Sequence, residues 1–336
     1  MTRILIDKNG NPVHLQIVRA DAVTTMPTAP RSEVEPVASA PHRSGVRSVR
    51  IETPYGVFHG PSGDLITRQL AEFGAHTRNE LAMLLSFVAE GDIVLDVGAH
   101  IGTFAIPLAR KVGSPGRVFA FEPTPSNHDF LERNVRENRV EGIVHVERLG
   151  ASDRTETLRA LRPASNTSAA FLAESGDGEV VRTVPLDEWW ETRGGSHRIS
   201  VIKVDAEGMD CRVLQGARGI LERDRPVLYF EVNPPALARA GSSVRELEDL
   251  LAEHHYHCFV HLGARNSTTD EFRLGRIRRP KELGSFGDVL AFHRESLRYP
   301  GYFAGPTVSR WSLRAMRAMS LPRRALRRMR RGLAAR

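Results

Sequence analysis

Short apolar runs recur along this chain between helix-length segments, and several of them end in an acidic residue. That alternation constrains the fold more than any other feature. Ile93–Val97, Val118–Phe121, Val144–Leu149, Ile199–Val204 and Val227–Glu231 read as buried parallel strands, which are apolar on both faces because both are covered. Helices are expected between and after them: over 80–89 with Asn79 as cap and Gly91 as stop, over 102–112, from Ser126 as cap to about 138, over 209–222, and over 244–255 with Ser243 as cap. A strand pair, Val49–Thr53 and Tyr55–His59, comes first. Extra extended structure fills 150–185, including Thr157–Leu161 and Val180–Val184, and His257–Leu262 and Asp288–Phe292 are late strands. Strands alternating with helices imply a doubly wound, Rossmann-like α/β sheet, mostly parallel with a late antiparallel strand.

The flanks read differently. Residues 1–48 are an N-terminal extension: Met1–Val18 suits a hairpin about the Asn9-Gly10-Asn11-Pro12 turn, and 24–48 is a Thr/Pro/Ala/Ser/Arg-rich linker. Residues 49–299 form the compact domain, and 300–336 an Arg-rich tail. The formal charge of +7 suggests a polyanion partner at face value, but its distribution changes that reading. Residues 310–336 hold ten arginines and no acid, which leaves the rest of the chain at about −3. Nucleic acid is therefore disfavoured as substrate. Leu326, Met329 and Leu333 make an apolar stripe among the arginines, a pattern suited to an anionic membrane surface or an acidic partner. Two cysteines, no secretory h-region and no bilayer-length apolar run suit a cytoplasmic protein, with the tail able to reach a membrane.

Sheets of this kind bind ligands at the carboxyl ends of their strands. The first such end reads Asp96-Val97-Gly98-Ala99-His100-Ile101-Gly102. Gly98 can turn sharply beside a ligand, and Gly102 lets the next helix pack closely. His100 stands where a dinucleotide fingerprint needs its middle glycine, so a pyrophosphate is not accommodated. Asp96 can attract a cationic group, and Glu122, at the end of the second strand, can accept hydrogen bonds from ribose hydroxyls. A ribose, a positive charge and no phosphate describe S-adenosylmethionine.

These residues, with Phe121-Glu122-Pro123, Leu186-Asp187, Ile202-Lys203-Val204-Asp205-Ala206-Glu207-Gly208, Phe230-Glu231 and Asp288-Val289-Leu290-Ala291, resemble the FkbM-type S-adenosylmethionine-dependent methyltransferases over about 60–295. His100 departs from the family, which usually has Asn there. The resemblance implies a class I methyltransferase sheet and O-methylation of a hydroxyl on a small or glycosylated metabolite (natural product, sugar or glycolipid). The cofactor set is then Asp96, Gly98, Ala99, His100, Gly102, Glu122 and Ser152.

Methyl transfer to a hydroxyl requires the acceptor to be positioned and one proton removed. Two arrangements fit the ends of the fourth and fifth strands. In one, Asp205 or Glu207 is the general base, with Lys203 holding a carboxylate or lowering the hydroxyl's pKa, and Glu231 nearby. In the other, Asp205, Glu231 and Asn233 hold a divalent cation such as Mg²⁺ against the acceptor oxygens.

Overall fold

The computed structural model describes residues 47–162, 170–193, 197–268, 270, 272, 274–284 and 286–296, together with short strand segments at 5–6, 12–13 and 37–39. The Arg-rich tail lies outside the described residues. Eight strands form the main sheet: β1 Ile93–Val97, β2 Arg117–Phe121, β3 Val144–Glu147, β4 Ile199–Val204, β5 Val227–Val232, β6 Tyr256–His261, β7 Leu274–Ile277 and β8 Gly287–His293. Their order is β7-β6-β8-β5-β4-β1-β2-β3. Pairing is parallel from β3 through β2, β1 and β4 to β5, and antiparallel from β5 through β8 and β6 to β7.

This order places β1 beside β4. The chain runs outward from β1 to β2 and β3, then returns to add β4 and β5 on the other side. The loops after β1 and β4 therefore leave the sheet in opposite directions, and a crevice opens between them. Strand alternation divides the core in two. Leu95, Val97, Ile202 and Val204 face one cluster, and Val94 and Val201 face the other. Trp189 and Trp190 are buried in the first cluster, with Trp189 packed edge-on against Phe119 and Phe121.

A smaller sheet lies over the carboxyl ends on one side. Its strands run in the order Phe171–Ala173, Glu156–Leu161, Glu179–Val184, Gly150–Ala151. At the N-terminal side, Ser48–Thr53 pairs with Gly56–Pro61, and Val37–Ser39 adds a third strand within the stretch read as linker. Leu5–Ile6 pairs with Pro12–Val13 as the early hairpin requires.

Several local expectations are corrected. The helix expected over 80–89 spans Arg78–Leu85, and Asn79 does not cap it. The Asn79 amide instead donates to the Ala264 carbonyl at 2.8 Å and accepts from the Ser267 hydroxyl at 2.7 Å, a long-range use that local sequence cannot show. The helix after β2 begins at Pro125, so Ser126 lies inside it. Proline favours the first helical turn, where its missing N–H costs nothing. The helix expected over 209–222 is two, Asp210–Gln215 and Arg218–Asp224. The break is at Gly216, where a Cβ would stand 2.0 Å from the Ser152 carbonyl oxygen. Helix Val244–Glu253 does carry its Ser243 cap, whose hydroxyl accepts the Glu246 N–H.

Gly216→Ala should therefore cost on the order of 1–3 kcal/mol through overpacking against backbone. The denaturant midpoint measures it, and an unchanged midpoint would show that the Ser152 contact relaxes freely.

Candidate active site

The crevice beside β1 and β4 is an open pocket of about 330 Å³. One side is built by the loops after β1 and β2. Gly98 has φ +75°, and a Cβ there would lie 1.9 Å from the Asp205 carbonyl oxygen. The turn is thus pressed onto the end of β4, and no residue with a side chain fits. His100 also has positive φ, at 51°, a conformation in which His and Asn are both enriched, so the family's Asn and this His meet the same backbone demand. Burial pushes the His100 imidazole's pKa down, which keeps the ring neutral near pH 7.

Glu122 is held in one orientation. Its Oε2 accepts the His100 N–H at 3.0 Å. Its Oε1 accepts the Thr124 N–H at 3.0 Å and the Thr124 hydroxyl at 2.5 Å. The Thr124 side chain is spent here, and it does not cap the following helix. Glu122, Thr124 and Asn127 all line the pocket. An oriented carboxylate with further lone pairs suits the two hydroxyls of a ribose, and the side-chain-free turn at Gly98 leaves room beside it.

Asp96 and Lys203 take a different place from the one expected. They are register partners on adjacent parallel strands and face the same side of the sheet. Neither lines the pocket. The Lys203 ammonium lies 3.0 Å from Asp96, donates to the Gly98 carbonyl at 2.9 Å, and sits 5.2 Å from the centre of the Phe104 ring. Asp205 is farther, at 3.9 Å. Burial opposes the Lys203 charge, but Asp96 and Asp205 more than offset it and raise its pKa, while burial raises that of Asp96 against the pull of Lys203. Both lie beneath the Gly98 turn, behind the pocket wall. Ala99, Gly102 and Ser152 are also behind the wall. Gly102 lets the loop approach Leu131, and the Ser152 hydroxyl donates to Asp153. Gly150 and Ala151 line the pocket in place of Ser152.

The other side holds Asp205, Glu207, Glu231 and Asn233, all four at the pocket wall. Glu207 has φ 52°, a left-handed conformation that is strained for a residue with a Cβ. No hydrogen-bond partner engages its carboxylate among the described residues. Burial, and then Asp205 and Asp210, push its pKa up to about 7. Burial and the same neighbours push Glu231 up to about 8. Asp210 clamps the loop after β4, accepting the Gly208 and Glu231 N–H groups. Asn233 donates to Glu231 at 3.3 Å, while its Oδ1 accepts the Ala236 N–H and caps Pro234–Arg239. Its carbonyl oxygen thus accepts one N–H and keeps a second lone pair. Among the described residues, no group of three His, Cys, Asp or Glu side chains is clustered to hold a metal ion.

The sequence reading did not find His76, Arg265 or Phe286, which complete the wall. They come from segments without a motif. Arg265 is bridged to Glu80 and Asp288, each at 2.8 Å. Thr124 and Asn127 were within reach, since they follow Glu122 on the first turn of its helix.

A sheet of this order, mostly parallel with antiparallel late strands, has the class I methyltransferase architecture. Residues 96–258 match the methyltransferase FkbM domain. The hexuronic acid methyltransferase AglP of Haloferax volcanii is 32% identical over 174 residues, covering 52% of this chain and 66% of AglP. The AMB antimetabolite synthetase AmbE of Pseudomonas aeruginosa is 25% identical over 268 residues, covering 68% of this chain and 12% of AmbE. The chain thus spans just under two thirds of the first relative's length and a small part of the second's. An O-methyltransferase of Bacillus cereus, solved with SAH, is 15% identical with a TM-score of 0.39, covering 70% of this chain and 84% of that one. Among the described residues, no helix is long and apolar enough to cross a membrane.

Lys203→Met should lower stability by about 3–5 kcal/mol, because it strands the buried Asp96 carboxylate without a partner. Adding Asp96→Asn should recover part of the loss. Urea unfolding of the single and double variants measures both, and additive losses would exclude the coupling.

Proposed function

We propose that this protein transfers a methyl group from S-adenosylmethionine to a hydroxyl of a small or glycosylated metabolite, with a sugar as the favoured acceptor. The observation that carries this reading is the division of acids within one pocket. Glu122 is oriented by N–H donors at the cofactor side, and Glu207 stands unpartnered at the acceptor side with its pKa near neutrality. The relationship to AglP supports the sugar class.

Glu122, Gly98, His100, Thr124 and Asn127 would hold the cofactor, which supplies a methyl group carried on a positively charged sulfur. Glu207 takes the proton of the acceptor hydroxyl. A general base works best when its pKa lies near the working pH, and desolvation beside Asp205 and Asp210 gives Glu207 that value. Glu231, raised further, stays largely protonated at neutral pH and donates a hydrogen bond to an acceptor oxygen. Asp205 adds negative charge where the cofactor's cation would lie. No three His, Cys, Asp or Glu side chains cluster to hold a metal among the described residues, and the transfer is read as independent of Mg²⁺.

S-adenosylhomocysteine should raise the melting temperature and NAD should not; at about 100 times Kd a specific ligand adds roughly 2.7 kcal/mol. No shift with S-adenosylhomocysteine would end this reading. Glu207→Gln should keep that shift and lower kcat by about 10²–10⁴. In the parent protein kcat should rise with pH through about 7, the value set by burial and by Asp205 and Asp210, because the base acts deprotonated. A profile that falls through this range would exclude Glu207. Turnover should survive a chelator.

A further inference from the structure

His76 is assigned no role by any motif, and it lies upstream of the matched family domain. It stands in the short link between helices Leu65–Phe73 and Arg78–Leu85. Gly74 at φ 73° and Thr77 at φ 45° bracket the link, and these two left-handed residues turn it into the pocket. The ring lines the pocket with Glu207, Glu231 and Asp205. Its Nδ1 is 2.7 Å from the Gln69 side-chain oxygen. An amide oxygen only accepts, so Nδ1 carries the ring proton and Nε2 keeps a bare lone pair. No described residue donates to Nε2.

The charged and titratable groups facing the ring come from three segments: Asp205 and Lys203 at the end of β4, His100 after β1 and Arg265 after β6. Burial lowers the imidazole's pKa to about 4, with Asp205 opposing and Arg265, His100 and Lys203 assisting. The ring is neutral throughout the physiological range.

A bare acceptor atom on the wall of an open pocket offers a bound molecule a place for a donor. On the reading above, the hydroxyl being methylated gives its one hydrogen to Glu207, so an acceptor hydroxyl that donates to His76 is a different one. We propose that His76 is an acceptor-binding residue whose Nε2 takes a hydrogen bond from a second hydroxyl, so that the acceptor is a polyol recognised at two adjacent positions. This inference rests on the O-methyl transfer reading above.

Carbon-13 and nitrogen-15 spectra of the histidine rings at pH 7 should show His76 neutral with the proton on Nδ1. A proton on Nε2, or an imidazolium, would overturn the proposal without any acceptor. Methyl α-glucuronide and its monodeoxy analogues serve as turnover probes. Removal of one hydroxyl other than the methylated one should lower kcat/KM about tenfold in the parent protein, the scale of one neutral hydrogen bond. In His76→Phe that discrimination should vanish, with the loss mainly in KM and with the S-adenosylhomocysteine melting shift retained. His76→Gln, which still offers a carbonyl oxygen, should keep part of it and covers the case in which His76→Phe does not fold. Equal discrimination in parent and variants would overturn the role of His76 and leave the methyl-transfer reading intact. Failure of the parent protein to methylate any of these glycosides would overturn the sugar reading, and this inference with it.

Discussion

Lys203 and Asp96 are both buried, directly opposite each other on the two central strands, and are flanked at the same register by Tyr229 on β5 and Ala120 on β2. Such a pair is a poor source of stability, since desolvation consumes most of the Coulombic gain. It fixes geometry. The ammonium's remaining donors reach the Gly98 carbonyl, so one cation ties β4, β1 and the turn leaving β1 together. Gly98 in turn is pressed on the Asp205 carbonyl, so the backbones that carry the two halves of the pocket are in direct contact. The crevice between β1 and β4, the orientation of Glu122 through the His100 N–H, and the position of Asp205 all follow from that seam.

The acidic residues around the seam show how environment separates roles within one residue type. Glu122 is surrounded by N–H and O–H donors on the loop that follows it. Asp210 is likewise spent on two backbone N–H groups and stitches the loop after β4 to β5. Glu207 receives no such donors. Its loop is held from behind by Asp210, and by Gly208, where a Cβ would lie 2.4 Å from the Ala236 carbonyl oxygen. The strained φ at Glu207 is maintained by those contacts, and the result is a carboxylate at the pocket wall on which burial, Asp205 and Asp210 outweigh the opposing charge of Arg239. Pairs of titratable groups driven apart by their surroundings are how a site divides binding from proton transfer.

The sheet was legible because its evidence is local. The bounds of β1 and β4 are those read from the sequence, since a buried parallel strand is a continuous apolar run with clear ends. The place of Glu122 was legible as well, because it follows directly on the end of β2. The pairing of Asp96 with Lys203 was not legible because it depends on register: only the side-by-side placement of β1 and β4 brings the two strand-end charges together. The same holds for Asn79, whose partners are 185 and 188 residues away, and for Gly216, whose break is imposed by a distant carbonyl.

His76, Arg265 and Phe286 were illegible for a deeper reason. The cofactor half of the pocket is made largely by backbone, in a turn that only glycine permits and N–H groups that orient one carboxylate, so its residue types are dictated and leave motifs. The acceptor half is walled by side chains from the link before Arg78–Leu85, from the smaller sheet at Ala170 and Leu172, and from the loops at Arg265 and Phe286. No backbone constraint fixes what those positions must be. The acceptor's identity is therefore written in the segments outside the motifs, and for this chain the most explicit of them is a neutral imidazole held in one tautomer by Gln69.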